Sequence, residues 1–127
     1  MAEERNEYLK KIELLVDQNP DYKLEAYTFV LAVLHDTVSR LSKPRHVAGK
    51  ELLEGIRQYA IRQFGPMALT VIRYWGIHET LDFGKIVFRL VESKLLSKQP
   101  QDQLEDFMDG YDFEEAFGKY KIDDETL

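Results

Sequence analysis

Apolar side chains recur at three- and four-residue spacing from Tyr8 to Leu95, and short breaks cut that run into helix-sized pieces. A period near 3.6 places those residues on one helical face and cannot serve a pleated sheet. The breaks are Asn19-Pro20-Asp21, Lys43-Pro44-Arg45-His46, Gly65-Pro66 and Gly76. Each contains proline or glycine, and the first two add polar neighbours, which is the chemistry of turns.

Five helices follow from this. The first is expected over 3–17, with Tyr8, Ile12, Leu15 and Val16 inward. The second, over 24–41, carries Ala26, Tyr27, Val30, Val33, Leu34, Val38 and Leu41, and Phe29 and Leu31 widen its stripe. That width predicts burial on more than one side. The third, over 48–64, turns Leu52, Leu53, Ile56, Tyr59, Ala60 and Phe64 inward. Gly65 stands where a left-handed helix end needs glycine, and Pro66 suits the first position of a fourth helix over 66–75. Gly76 closes that helix. Thr80 reads as the N-cap of the fifth, with Asp82 in the first turn near the positive end of the dipole.

After Leu95 the period changes. Leu95 to Lys98 and Leu104 to Tyr111 read as two short strands around a turn at Gln99 to Gln103, a β-hairpin near 95–111. Asp112 caps a short helical turn, Phe113 to Phe117. The expected fold is mostly α with five main helices, forming one domain over 1–117 with a frayed polar tail over 118–127. Three helices and a hairpin follow the order of a winged helix in the C-terminal two-thirds; a plain helical bundle with a disordered acidic end is the alternative.

At 127 residues and 44% apolar composition, with seven Phe, seven Tyr and one Trp, one core is within reach without staples. The absence of cysteine excludes disulfides and thiolate chemistry. The acidic start lacks the pattern of a secretory signal, and no stretch has the apolar length of a membrane span, so a cytoplasmic setting is expected.

Charge is sorted along the chain. Residues 1–39 hold four basic and eight acidic side chains, residues 40–98 eleven and five, and residues 99–127 two and ten. The whole-chain charge of −6 disfavours an anionic partner, whereas the middle block favours one. The acidic end is laced with Phe107, Tyr111, Phe113 and Phe117, which predicts a segment anchored on a basic helical body.

The candidate anion- or partner-binding site is the basic loop, Lys43, Arg45, His46, Gly49 and Lys50, at the start of the third helix. Free N–H groups attract anions there, and Gly49 would let one approach the backbone. It lacks the glycine and hydroxyl of a phosphate-binding Walker loop. A nucleic-acid face on the fifth helix would use Lys85, Arg89 and Lys94, but no Arg, Asn or Gln cluster there reads base edges. His35-Asp36, His46 and His78 have no metal-ligand spacing, so neither a metal nor a cofactor is expected. Nucleophile-elbow, zincin and dinucleotide motifs are absent.

The run Lys43 to Arg57, with Gln63 to Met67, Tyr74 to Ile77, Thr80 to Gly84, Ile86 to Glu92 and Tyr111 to Phe113, resembles a small uncharacterised bacterial family, the Verrucomicrobia/Planctomycetes-restricted proteins. The likeness covers about residues 24–117. It implies a stand-alone bacterial domain and brings no activity or catalytic residue. Similar sequences carry Ser or Thr where Ala48 stands and glycine where Lys94 stands, so a capping hydroxyl and an easy left-handed residue are both missing here. The functional expectation is a non-enzymatic module binding a protein or an acidic ligand. The alternatives are a winged-helix nucleic-acid binder and an enzyme with an unrecognised site.

Overall fold

The computed structural model describes residues 2–97 and 103–118, with side chains from residue 7 onward. The helices are α1 (Ala2–Gln18), α2 (Leu24–Ser39), α3 (Gly49–Phe64), α4 (Ala68–Tyr74) and α5 (Thr80–Glu92). A 3-10 turn over Gly65–Met67 leads into α4. The C-terminal part forms a 3-10 turn, Leu104–Phe107, and a π turn, Glu114–Gly118. The polar tail expected over 118–127 lies outside the described residues, apart from Gly118.

The wide apolar stripe of α2 makes it the centre of the fold. Ala26, Tyr27, Phe29, Val30 and Val33 are buried, and α1, α3 and α5 all pack against this helix. From α1 come Ile12 and Leu15, from α3 Leu52, Leu53, Ile56 and Ala60, and from α5 Phe83, Ile86 and Leu90. Phe29 lies 5.1 Å from the Trp75 ring and 6.0 Å from Phe64, in a cluster that closes the α2–α3–α4 corner. Each such ring contributes about 1.5–3 kcal/mol by leaving water.

Two glycines do what the sequence requires of them. Gly65 has φ 53°, ending α3 in a conformation costly for other residues. Gly76 has φ 96°, and a Cβ there would stand 2.2 Å from the Asp21 carbonyl oxygen. That glycine lets the α1–α2 turn lie against the end of α4, where the Lys23 N–H donates to the Trp75 carbonyl at 3.1 Å.

Two local expectations are corrected. Thr80 does not cap α5: the N-cap is Glu79, and Asp82 reaches back to the His78 and Glu79 N–H groups at 2.8 and 3.1 Å. The carboxylate offers two acceptor oxygens near the positive helix end, whereas the Thr80 hydroxyl is bonded elsewhere. The β-hairpin is also not found, since no strand is present among the described residues. The Leu95 and Leu96 N–H groups both donate to the Leu90 carbonyl, at 2.9 and 3.3 Å, so neither is free for a ladder. On the other arm, Asp106 accepts from the Gln103 N–H at 3.3 Å and winds Leu104 to Phe107 into a turn. The wing of the winged-helix expectation is thus replaced by a strap of turns; the connecting residues 98–102 lie outside the described residues.

Candidate functional site

The basic loop enters α3 through Val47, a core residue, which holds the segment against the body. Arg45 forms a two-pronged ion pair with Glu51, Nη1 to Oε1 at 2.9 Å and Nη2 to Oε2 at 2.7 Å. Glu51 Oε1 also accepts from the Ala48 N–H at 3.1 Å. Ala48 has no hydroxyl, so Glu51 alone performs the reciprocal capping of this helix start. The Arg45 hydrogen bonds, followed by the Ala48 N–H, hold the Glu51 carboxyl down to about 2. The protein's own carboxylate therefore engages Arg45 and the Ala48 N–H, two of the donors at this helix start.

Gly49 has its open side toward the strap: a Cβ there would meet the Phe107 ring and the Asp106 Cβ at 3.2 Å. The glycine admits an aromatic ring. Lys43 and Lys50 are exposed, and among the described residues neither makes an ion pair.

His46 lines a cleft between the start of α3, the middle of α2 and the outer part of α5. Leu34, Val47, Leu52, Val87, Phe88, Val91 and Leu96 give its apolar walls, and Ser97, Gln103 and Asp106 add polar groups. Phe107 forms one wall. The cavity is about 70 Å³, the scale of one side chain.

Of the expected nucleic-acid face, Lys85 is exposed, whereas Arg89 is turned inward to Asp21, Nη1 to Oδ1 at 2.8 Å and Nη2 to Oδ2 at 3.1 Å. Arg89 also donates to the Tyr27 hydroxyl at 3.1 Å and lies 5.0 Å from the Tyr22 ring centre. The Asp21 hydrogen bonds hold the Arg89 guanidinium charged well beyond its ordinary range. Lys94 sits past the end of α5 with φ 63°.

Beside Arg89, the Tyr22 hydroxyl donates to Asp82 at 2.5 Å. Burial, then this hydrogen bond, pushes the phenol far above its ordinary pKa. The sequence reading missed this clamp, in which the turn after α1 is fastened to α5 by Tyr22–Asp82 and Asp21–Arg89. Partners sixty and more positions apart leave no local signal. Gly84, by contrast, was a usable signal. A glycine inside a helix costs about 1 kcal/mol against alanine and asks for a packing reason. Here a Cβ would fall 2.8 Å from the Phe107 ring.

Among the described residues, no group of three or more His, Asp or Glu side chains is placed to hold a metal ion, and no helix is long and apolar enough to cross a membrane. Compared with known proteins, the chain matches no family model, no curated protein and no solved structure.

Proposed function

We propose that this chain is a non-enzymatic binding module, a small bacterial domain whose partner is an acidic protein segment. The observation that carries the reading is the cleft beside the basic loop. An apolar recess of side-chain size adjoins the basic loop, where Lys43 is exposed, and Lys50 on the first turn of α3 borders the neighbouring hollow; among the described residues neither lysine makes an ion pair. Such a site takes one aliphatic anchor and steers it with flanking carboxylates. Arg45 has a structural role in this reading, because Glu51 already satisfies it. The nucleic-acid alternative rests on Lys85, Arg89 and Lys94, of which Arg89 is engaged by Asp21.

The test is selection from a random peptide library on the immobilised full chain. Enriched peptides should share one aliphatic residue flanked by Asp or Glu. Binding should weaken at least about tenfold in a Lys43→Glu/Lys50→Glu variant and on raising salt from about 50 to 300 mM, as exposed ion pairs are screened. Binding indifferent to Val91→Asp, or a selection without enrichment, removes the reading. Labelled RNA and DNA in the same assay decide the alternative.

A further inference from the structure

We infer that the strap, residues 104–118, is a built-in occupant of a second groove, the one beneath it, and that this groove receives an acidic segment with an aromatic anchor. The inference rests on the binding role of the neighbouring cleft and extends it.

The groove has the form of a receptor. Gly49 on α3 and Gly84 on α5 leave a slot for one ring, and a Cβ at either would stand 3.2 or 2.8 Å from the Phe107 ring. Phe107 fills that slot and is also a wall of the cleft, so its departure would merge the two spaces. Thr80 reads the backbone beside it: the hydroxyl donates to the Phe107 carbonyl at 2.6 Å and accepts from the Gly110 N–H at 2.9 Å. Farther along, the Tyr111 hydroxyl donates to the Leu53 carbonyl at 2.7 Å, and Phe113 and Phe117 are buried.

The strap is attached as a ligand is. Among the described residues no backbone-to-backbone hydrogen bond joins it to the helices; those it makes, such as Met108 N–H to the Glu105 carbonyl, are internal. It is held by rings and by side-chain hydrogen bonds, a pattern that another segment of like chemistry can reproduce. Within residues 104–118 there are six acidic side chains and no basic one. Lys50 borders the hollow formed with Asp106, Asp109 and Tyr111. The occupant in cis thus defines the partner: carboxylates around a phenylalanine.

Two measurements on the full chain test this. In native-state hydrogen exchange of the wild-type protein, the Met108 and Ala116 amides should be at least about 100-fold less protected than those of Ile56 and Leu90, showing that the strap opens while the helices stay folded. Equal protection overturns the inference. In the second, a fluorescent synthetic peptide of residues 103–118 is titrated onto wild type, Phe107→Ala and Phe107→Ala/Gly84→Ala. It should bind Phe107→Ala, bind wild type at least about tenfold more weakly, and lose at least about tenfold in the double variant, where the methyl added at position 84 crowds the slot. A folded Phe107→Ala chain that ignores the peptide overturns the inference, as does a wild type that binds it equally or a Phe107→Ala chain that does not fold. The library selection uses wild type with the strap seated. Its failure removes the cleft reading, whereas failure of exchange and peptide binding removes only the strap's role.

Discussion

Gly84→Ala should change the sign of its effect with the residue at position 107. Alanine in place of glycine inside α5 favours the helix by about 0.5–1 kcal/mol through backbone entropy alone. At Gly84 the new methyl would lie 2.8 Å from three atoms of the Phe107 side chain, under the ordinary contact distance. That ring is 4% exposed and hemmed in by Gly49 on its other side, so it has little room to retreat. Overpacking of this kind costs about 1–3 kcal/mol, which with three contacts at 2.8 Å outweighs the helix gain and leaves Gly84→Ala destabilising, by up to about 2.5 kcal/mol. Phe107→Ala by itself should cost about 3–5 kcal/mol. In that background the obstruction is gone, and Gly84→Ala should stabilise by about 0.5–1 kcal/mol. The coupling across the cycle is then about 1–3 kcal/mol, well above the few tenths seen between independent sites. Urea denaturation of the four chains, followed by far-UV circular dichroism, measures it. Gly84→Ala with the same sign in both backgrounds would refute the slot.

Three further outcomes are expected. Lys94 is the left-handed residue of a Schellman end, with its N–H on the Val91 carbonyl at 2.9 Å and the Leu95 N–H on Leu90 at 2.9 Å; Lys94→Gly should raise the melting temperature by about 2–4 °C for roughly 0.5–1 kcal/mol, and an unchanged or lower value counts against that geometry. Tyr22→Phe removes a hydrogen bond to the buried Asp82 carboxylate and should cost about 1.5–3 kcal/mol in urea unfolding, while a loss under about 0.5 kcal/mol would mean the clamp is idle. Glu51 is held down to about 2 from an ordinary 4.5 by Arg45 and Ala48, so its contribution is present above pH 4.5 and fades as pH falls toward 2. The drop in urea midpoint between pH 5 and pH 2.5 should therefore be smaller in Glu51→Gln than in wild type; equal drops would show that the pairing is absent in solution.

Helices were legible where their signals were local. Gly65 and Gly76 ended α3 and the α4 turn as expected, and the widened apolar stripe of α2 predicted its burial on more than one side. What escaped was decided at a distance. The Leu104 to Tyr111 run alternates only imperfectly, and a strand also needs a partner, whereas the amides of Leu95 and Leu96 are taken by Leu90. Thr80 looked like a cap because serine-like residues cap helices, yet its hydroxyl is drawn to the Phe107 carbonyl, while Asp82, two positions on, reaches back to the His78 and Glu79 N–H groups. In the site, the positions of Lys43 and Lys50 could be read from sequence, but the fate of Arg45 and Gly49 could not. One depends on a glutamate six residues away, the other on a ring fifty-eight residues away.

The sorted charge takes a different meaning once each cation is located. Every arginine whose side chain is described, at 40, 45, 57, 62, 73 and 89, makes an ion pair, and no described lysine does. The guanidinium fork suits fixed carboxylate pairs, whereas an ammonium is a mobile point charge. Four of these arginines pair with acids on helices or turns of the body, Asp21, Asp36 and Glu54 among them, and Arg45 pairs within its own helix start. Arg73 alone reaches the strap, at Glu114. Among the described residues the strap is therefore held mainly by its rings, and apart from Glu114 its carboxylates make no ion pair with an arginine or lysine of the basic block. The positive charge that remains for a partner is carried by lysines, among them Lys43 in the loop that leads to the cleft residue His46 and Lys50 at the hollow under Asp109 and Tyr111. Added salt should accordingly leave the arginine-pinned fold largely intact while weakening association with an acidic segment. A thermal midpoint steady between about 50 and 300 mM salt, alongside binding that falls over the same range, is the joint result this division of labour requires.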